Sequence, residues 1–201
     1  MFVLRFPDAG LPNGKHGSDR AVFCGRDPLW GAAPRSRGLM AFCMRAFCRD
    51  FAAPSLSELL IWLKQYEAPA TLFGGGPAPD MLSSFWEEAR LSYDAREAPL
   101  TVRCLRAAGP GSTAFSEELA DFVADVGECP DSPARARVLE QLAATRLLVV
   151  VEYPPDGVTF TGQQTVEGIV NSLVERAGGM AQRDGAGFLD QEDDSVFLAL
   201  A

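Results

Sequence analysis

The sequence predicts an α+β fold: a single domain with a mixed, mostly antiparallel sheet, packed by about four helices and preceded by a flexible N-terminal tail. Three observations carry this. RLLVVVEY (146–153) is a continuous β-branched run, the mark of a strand buried on both faces. Several segments place apolar residues at i, i+3, i+4 and i+7, the stripe of a core-facing helix. Strands come in consecutive runs and do not alternate with helices, which argues against a doubly wound sheet.

Residues 1–39 read as an irregular or disordered tail, and 40–201 as the single domain. The stretch 7–38 is rich in Gly, Pro, Arg and Ser and has no periodicity, so it buries too little apolar area to offset its ordering entropy. Met40 and Met44 stand where order begins, which also admits a translation start downstream of Met1. MAFCMRAFCRDF (40–51) reads as an interior strand that Pro54 ends. Ser55 and Glu58 form a capping box for a helix whose stripe is Leu56, Leu59, Leu60 and Leu63. ATLF (70–73) is a short strand before GGGPAP. Residues 85–107 read as a hairpin turning at Asp94–Ala98, with a helix over 79–91 as the competing reading, since WEEARL is also good helix material. In its first strand Phe85, Glu87, Ala89, Leu91 and Tyr93 share one face, with Trp86, Glu88, Arg90, Ser92 and Asp94 on the other.

A second helix covers about 115–126. Asp131-Ser132-Pro133 supplies the N-cap and first-turn proline of a third. In the fourth, Thr161 and Gln164 match a second capping box, Val166, Ile169, Val170, Leu173 and Val174 make the stripe, and Gly178 stops it. Strands near 180–183, 186–190 and 195–200 complete the chain.

Charge is unevenly placed. The net charge is −9, but residues 1–39 carry six Lys/Arg against three Asp. The remainder, with 12 Lys/Arg against 24 Asp/Glu, holds −12 and repels phosphate backbones, so no nucleic-acid partner is expected. Arg outnumbers Lys 16 to 2, a bias suited to a GC-rich bacterial genome. The apolar run LLVVV (147–151) is strand-sized, and MFVLRFPDAG lacks the apolar centre of a secretory leader. The sequence therefore predicts a cytoplasmic protein with no membrane partner. Cys24, Cys43, Cys48, Cys104 and Cys129 form no C-x-x-C and read as buried thiols.

The C-terminal stretch AGGMAQRDGAGFLDQEDDSVFLALA concentrates five acids between Asp184 and Asp194. A calcium loop starting at Asp190 needs Gly at its sixth position and Glu at its twelfth, where Ser195 and Ala201 stand. Hairpin turns explain more: Asp184-Gly185 suits a type I′ turn, and QEDD the next. GGGPAP lacks the G-K-[ST] ending of a phosphate loop. GPGST (109–113) opens a helix, but Glu117 and Glu118 are expected in its first turn, where they would repel an anion.

The single histidine, His16, lies in the tail. Residues 17–201 then offer no imidazole to activate a serine or cysteine nucleophile, and no histidine for a zinc site. Neither a metal nor a cofactor is expected. Carboxylates remain as acid/base candidates, among them Glu87, Glu88, Asp94, Glu97, Glu117, Glu118, Asp121 and Asp125. Thiol chemistry at Cys48 or Cys104 would require an exposed, electropositive cysteine. A Trp among charges on an open sheet face suits a binding patch, which singles out Trp86 with Glu88 and Arg90, and Trp62 on the first helix.

These readings favour a non-enzymatic domain acting by protein–protein contact, in an adaptor, regulatory or immunity-type role, with a basic partner steered by the acidic body. The alternative is a small-molecule-binding or hydrolytic enzyme using paired carboxylates. Micromolar calcium should leave the melting temperature unchanged; a calcium-dependent rise would restore the metal reading of the C-terminal acids.

Overall fold

The computed structural model describes residues 42–74, 80–154, 158–190 and 195–200. The expected tail with His16, most of GGGPAP and the QEDD turn lie outside these residues. Four helices and eight strands follow in the order β1 (Phe42–Cys48), α1 (Leu56–Gln65), β2 (Thr71–Leu72), β3 (Glu88–Ser92), β4 (Leu100–Arg106), α2 (Ser112–Glu128), α3 (Pro133–Ala144), β5 (Leu147–Tyr153), α4 (Phe160–Arg176), β6 (Met180–Arg183), β7 (Gly187–Leu189) and β8 (Val196–Ala199). No helix among the described residues is long and apolar enough to cross a membrane.

The strands form one sheet in the order β2-β3-β4-β5-β1-β6-β7-β8. Two antiparallel sets, β2-β3-β4-β5 and β6-β7-β8, are joined by β1, which pairs with β5 on one side and β6 on the other. Every pairing is antiparallel, so the sheet expected to be mixed but mostly antiparallel is wholly so among the described strands. The reason is that β1 and β5 run in opposite directions although α1, α2, α3 and three strands separate them in sequence.

Leu147–Val151 are buried throughout, so the sheet needs cover on both sides. On one side Met44, Ala46, Leu91, Val102, Val149 and Val151 pack with Leu59 and Leu63 of α1 and Ile169, Val170 and Leu173 of α4. On the other, Phe47, Leu148, Val150 and Phe188 pack with Phe115 and Val126 of α2 and Val138 and Leu142 of α3.

Local signals set most boundaries. Ser55 caps α1 in the expected box, its hydroxyl accepting from Glu58 N while Glu58 Oε2 accepts from Ser55 N at 2.9 Å. Ser132 caps α3 with Pro133 in the first turn. The cap of α4 is Thr159, two residues before the expected Thr161, and its hydroxyl accepts from Gly162 N at 3.3 Å. Gly178 stands at φ 60° after α4, and Gly179 N donates back to Val174 O at 3.0 Å, closing a Schellman turn. The end of α2 has no basic residue of its own. Arg135 of α3 supplies one, donating from Nε to Val126 O at 3.1 Å and from Nη2 to Gly127 O at 3.2 Å.

The hairpin between β6 and β7 differs from the type I′ expectation. Three residues connect the strands, and only Gly185 has positive φ among Asp184–Ala186. Ala186 N donates to Arg183 O at 3.1 Å, with the glycine third in the turn as a type II arrangement requires. Gly187 then takes φ 126°, and a Cβ there would run into Leu198 O and come within 2.8 Å of Ala199 Cα. Gly187→Ala should therefore cost at least about 2 kcal/mol of stability in urea unfolding, against about 1 kcal/mol for removal of a cap by Ser132→Ala. Equal midpoints for the two variants would contradict this reading of the β7–β8 contact.

Candidate functional site

Strand register carries polar residues across the sheet on the side of α2 and α3. One row runs Arg90, Thr101, Glu152, Cys43; the next runs Glu88, Arg103, Val150, Arg45, Gln182, Phe188. Residues paired across strands share a face, so these rows form a surface that is charged toward β3 and apolar toward β7. Glu88 and Arg90 are exposed, and Thr101, Arg103 and Glu152 are half-buried. Arg103 pairs with Glu152 on the neighbouring strand. Arg90 lies over the Phe73 ring, 4.9 Å from its centroid, which fixes its orientation at the sheet edge.

Arg45 joins this strip to α2. Its side chain is 12% exposed and donates from Nε to Glu118 Oε1 at 2.8 Å, and from Nη1 to Gln182 Oε1 at 3.0 Å and to Asp184 Oδ1. The Phe122 ring lies 5.1 Å below it. Burial opposes the guanidinium charge, but Asp184 and Glu118 hold it above its ordinary pKa. Asp184 Oδ2 also accepts from Cys43 N at 2.9 Å. Asp184 is thus an anchor for β1 and not merely a solvating turn residue. Likewise Asp190 pairs with Arg137 of α3 at 3.3 Å.

Beside the strip lies α2, with five acids (Glu117, Glu118, Asp121, Asp125, Glu128) and no basic residue over 17 positions. Phe115 and Val126 are its buried residues, so most of the helix faces outward. Glu117 and Asp121, both exposed, repel each other at i, i+4 spacing. The helix starts at Ser112, three residues earlier than expected. Glu117 and Glu118 therefore fall in its second turn, and its first turn holds no acid, correcting the expectation that they occupy the helix N-terminus.

The four residues singled out from sequence separate. Glu88 and Arg90 lie on the strip. Trp86 does not: β3 begins only at Glu88, the chain before it is irregular, and the indole is 7% exposed in the α1/α4 core. Its Nε1 donates to Pro54 O at 2.8 Å. Trp62 is half-buried on the same side of the sheet as Trp86, under Arg176, whose guanidinium lies 4.2 Å from its ring centroid. Sequence reasoning missed Arg45, although a charge between Met44 and Ala46 in an apolar strand was a visible signal.

Three cavities test the carboxylate reading. One of about 310 Å³ is lined by Met44, Tyr153, Gln163, Glu167 and Arg183, and Glu167 there is already paired with Arg183 at 3.2 Å. A second, about 170 Å³, is lined by Asp50 and Glu58 together with Arg176. Hydrogen bonds from Ser55 hold the Glu58 carboxyl below its ordinary range, the opposite of what a general acid needs. The third, about 390 Å³, has one carboxylate, Glu87, beside Arg106. No group of three or more metal-ligating side chains occurs among the described residues.

Cys43, Cys48 and Cys104 are free thiols; Cys129 is not among them. Burial pushes the Cys43 thiol up to about 11 and Cys48 up to about 12, and it raises Cys104 as well. Raised values leave these thiols protonated at neutral pH, and a protonated thiol is a poor nucleophile. No family model, curated protein or solved structure matches this chain. In the native protein at pH 7.5, iodoacetamide should label Cys48 and Cys104 only as fast as the sheet unfolds, while denaturant exposes both at once. Rapid native labelling of either would show a solvent path that burial rules out here.

Proposed function

We propose that the protein acts by contact, presenting the exposed face of α2 and the adjoining strip of Glu88, Arg90, Arg103 and Glu152 to a basic protein partner. One observation carries the reading: α2 keeps five acidic residues with no basic residue on the helix, including the exposed like-charged pair Glu117 and Asp121. Such a pair costs an isolated helix about 0.2–0.5 kcal/mol, so it weakens the element that bears it and offers its charge outward. Val123, exposed on the same helix, adds an apolar contact among the acids. A net charge of −9 speeds the approach of a cationic partner and makes association salt-dependent. Ion pairs on the strip fix register, since Arg103–Glu152 and Arg45–Asp184 already hold their side chains in place.

The test immobilises the wild type and the Glu117→Lys/Asp121→Lys variant and passes cell extract over both at low and high salt. A cationic protein held by wild type at low salt should associate about tenfold more slowly with the variant, and should be released by salt. Recovery of the same proteins by both, or a bound set indifferent to salt, would overturn the proposal.

A further inference from the structure

Arg106 ends β4 and is 5% exposed, the only charged residue among the buried ones described. The alternation that buries Leu100, Val102 and Cys104 carries it inward as the next member of the series. Its two terminal nitrogens donate to neutral carbonyls, Nη1 to Trp86 O at 3.0 Å and Nη2 to Ser84 O at 2.8 Å, and its Nε has no acceptor. The guanidinium lies 5.5 Å from the Phe85 ring centroid.

The contrast with two other arginines of the sheet is instructive. Arg45 meets Glu118 and Asp184, and Arg103 meets Glu152. Arg106, the most deeply placed, has no carboxylate within ion-pair distance among the described residues, although Glu87 lines the same cavity. Burying a cation without a counter-charge is costly, and ordinarily a protein supplies one.

The cavity beside it, about 390 Å³, is bounded by Phe51, Phe85, Arg106, Ala108 and Pro110, with Glu87 among its lining residues. That volume is within the range of small-ligand sites. Phe85 lines this cavity with its ring 64% exposed, and its centroid is 6.2 Å from that of Phe51. The first turn of α2 follows directly after Pro110, with Gly111 as a cap lacking any side-chain bond and no acid in the turn. The positive end of that helix dipole therefore has no acid in its own first turn to offset it, and the helix begins two residues after Pro110, which lines the cavity.

We infer that this cavity binds a monocarboxylate carried on an apolar body, the carboxylate completing the charge of Arg106 and the apolar part lying between Phe85, Phe51 and Pro110. A dianionic phosphate suits it less, because Glu87 shares the lining and two of the five guanidinium hydrogens are already committed to carbonyls. The carboxylate can come from a free organic acid or from the C-terminus of a peptide chain; both offer the same chemistry. This site is independent of the α2 surface, so either can fail without the other.

The experiment titrates the full-length protein with 3-phenylpropionate, its amide 3-phenylpropanamide, inorganic phosphate, and a hexapeptide ending in Phe with a free or amidated terminus, following the Trp86 indole N–H by NMR. Saturable binding of 3-phenylpropionate at least about tenfold tighter than the amide is expected. Binding of the free-ended peptide as well assigns a chain terminus as the source; its failure to bind assigns a free acid. Arg106→Met should abolish binding. Because that variant frees two carbonyls, Ala108→Trp, which fills the cavity from an exposed position, is measured in parallel and should abolish it too. No saturation by 3-phenylpropionate, equal binding of acid and amide, phosphate binding as tight as the acid, or undiminished binding by Ala108→Trp would each overturn the inference.

Discussion

A strand with apolar side chains on both faces cannot be satisfied by one layer of helices. Leu147–Val151 of β5 are that strand, and the rest of the architecture follows from their requirement. Odd positions, Leu147, Val149 and Val151, demand α1 and α4; even positions, Leu148 and Val150, demand α2 and α3. With β4 and β1 hydrogen-bonded on its two sides, β5 has neither an open edge nor an open face along its apolar length. Only at Glu152 and Tyr153 does burial relax, and there the sheet surface turns polar.

That change of character along one strand explains why charge gathers where it does. The α2/α3 layer covers Leu148, Val150, Phe47 and Phe188 and leaves Thr101, Arg103 and Glu152 partly open. Arg45 sits at the margin, where a guanidinium can reach Glu118 on the covering helix, Gln182 on the next strand and Asp184 in the turn beyond. One side chain thereby binds three elements, and a fully paired network of this kind fixes geometry more than it adds stability. On the opposite face of the sheet, in phase with Leu100, Val102 and Cys104, Arg106 is met differently, by carbonyl oxygens alone among the described residues.

Much of this was legible from local pattern. The capping box at Ser55 and Glu58, the Ser132-Pro133 start, the stripe of α4 with Gly178 after it, and the β-branched run of β5 each appear as their residues predict, because each rests on contacts a few residues apart. Errors arose where tertiary geometry decided. Strand alternation was extended back through Phe85 and Trp86, but the chain leaves the sheet before Glu88 and turns Trp86 into the core toward Pro54. Thr161 matched a capping pattern, yet the helix opens at Phe160 under Thr159. Of the site, Glu88 and Arg90 were placed on the right face by parity. The partners of Arg45 lie 73 to 139 residues away in sequence, beyond the reach of any local rule. Arg106 was nearer to hand: the parity of Leu100, Val102 and Cys104 already pointed it inward.

The position of β1 has a consequence for how the molecule is made. Emerging from the ribosome ahead of every other described strand, it finds no neighbour until β5 has been synthesised, since its first partner is the stretch Leu147–Tyr153 and its second is β6. The β3–β4 hairpin and α1 can take shape earlier on their own, but they cannot enclose anything. Closure of the sheet is therefore a late, long-range event, of the kind that slows folding and prolongs the lifetime of sticky, half-built chains. Nascent β1, apolar but for Arg45, is the segment a chaperone would have to shield.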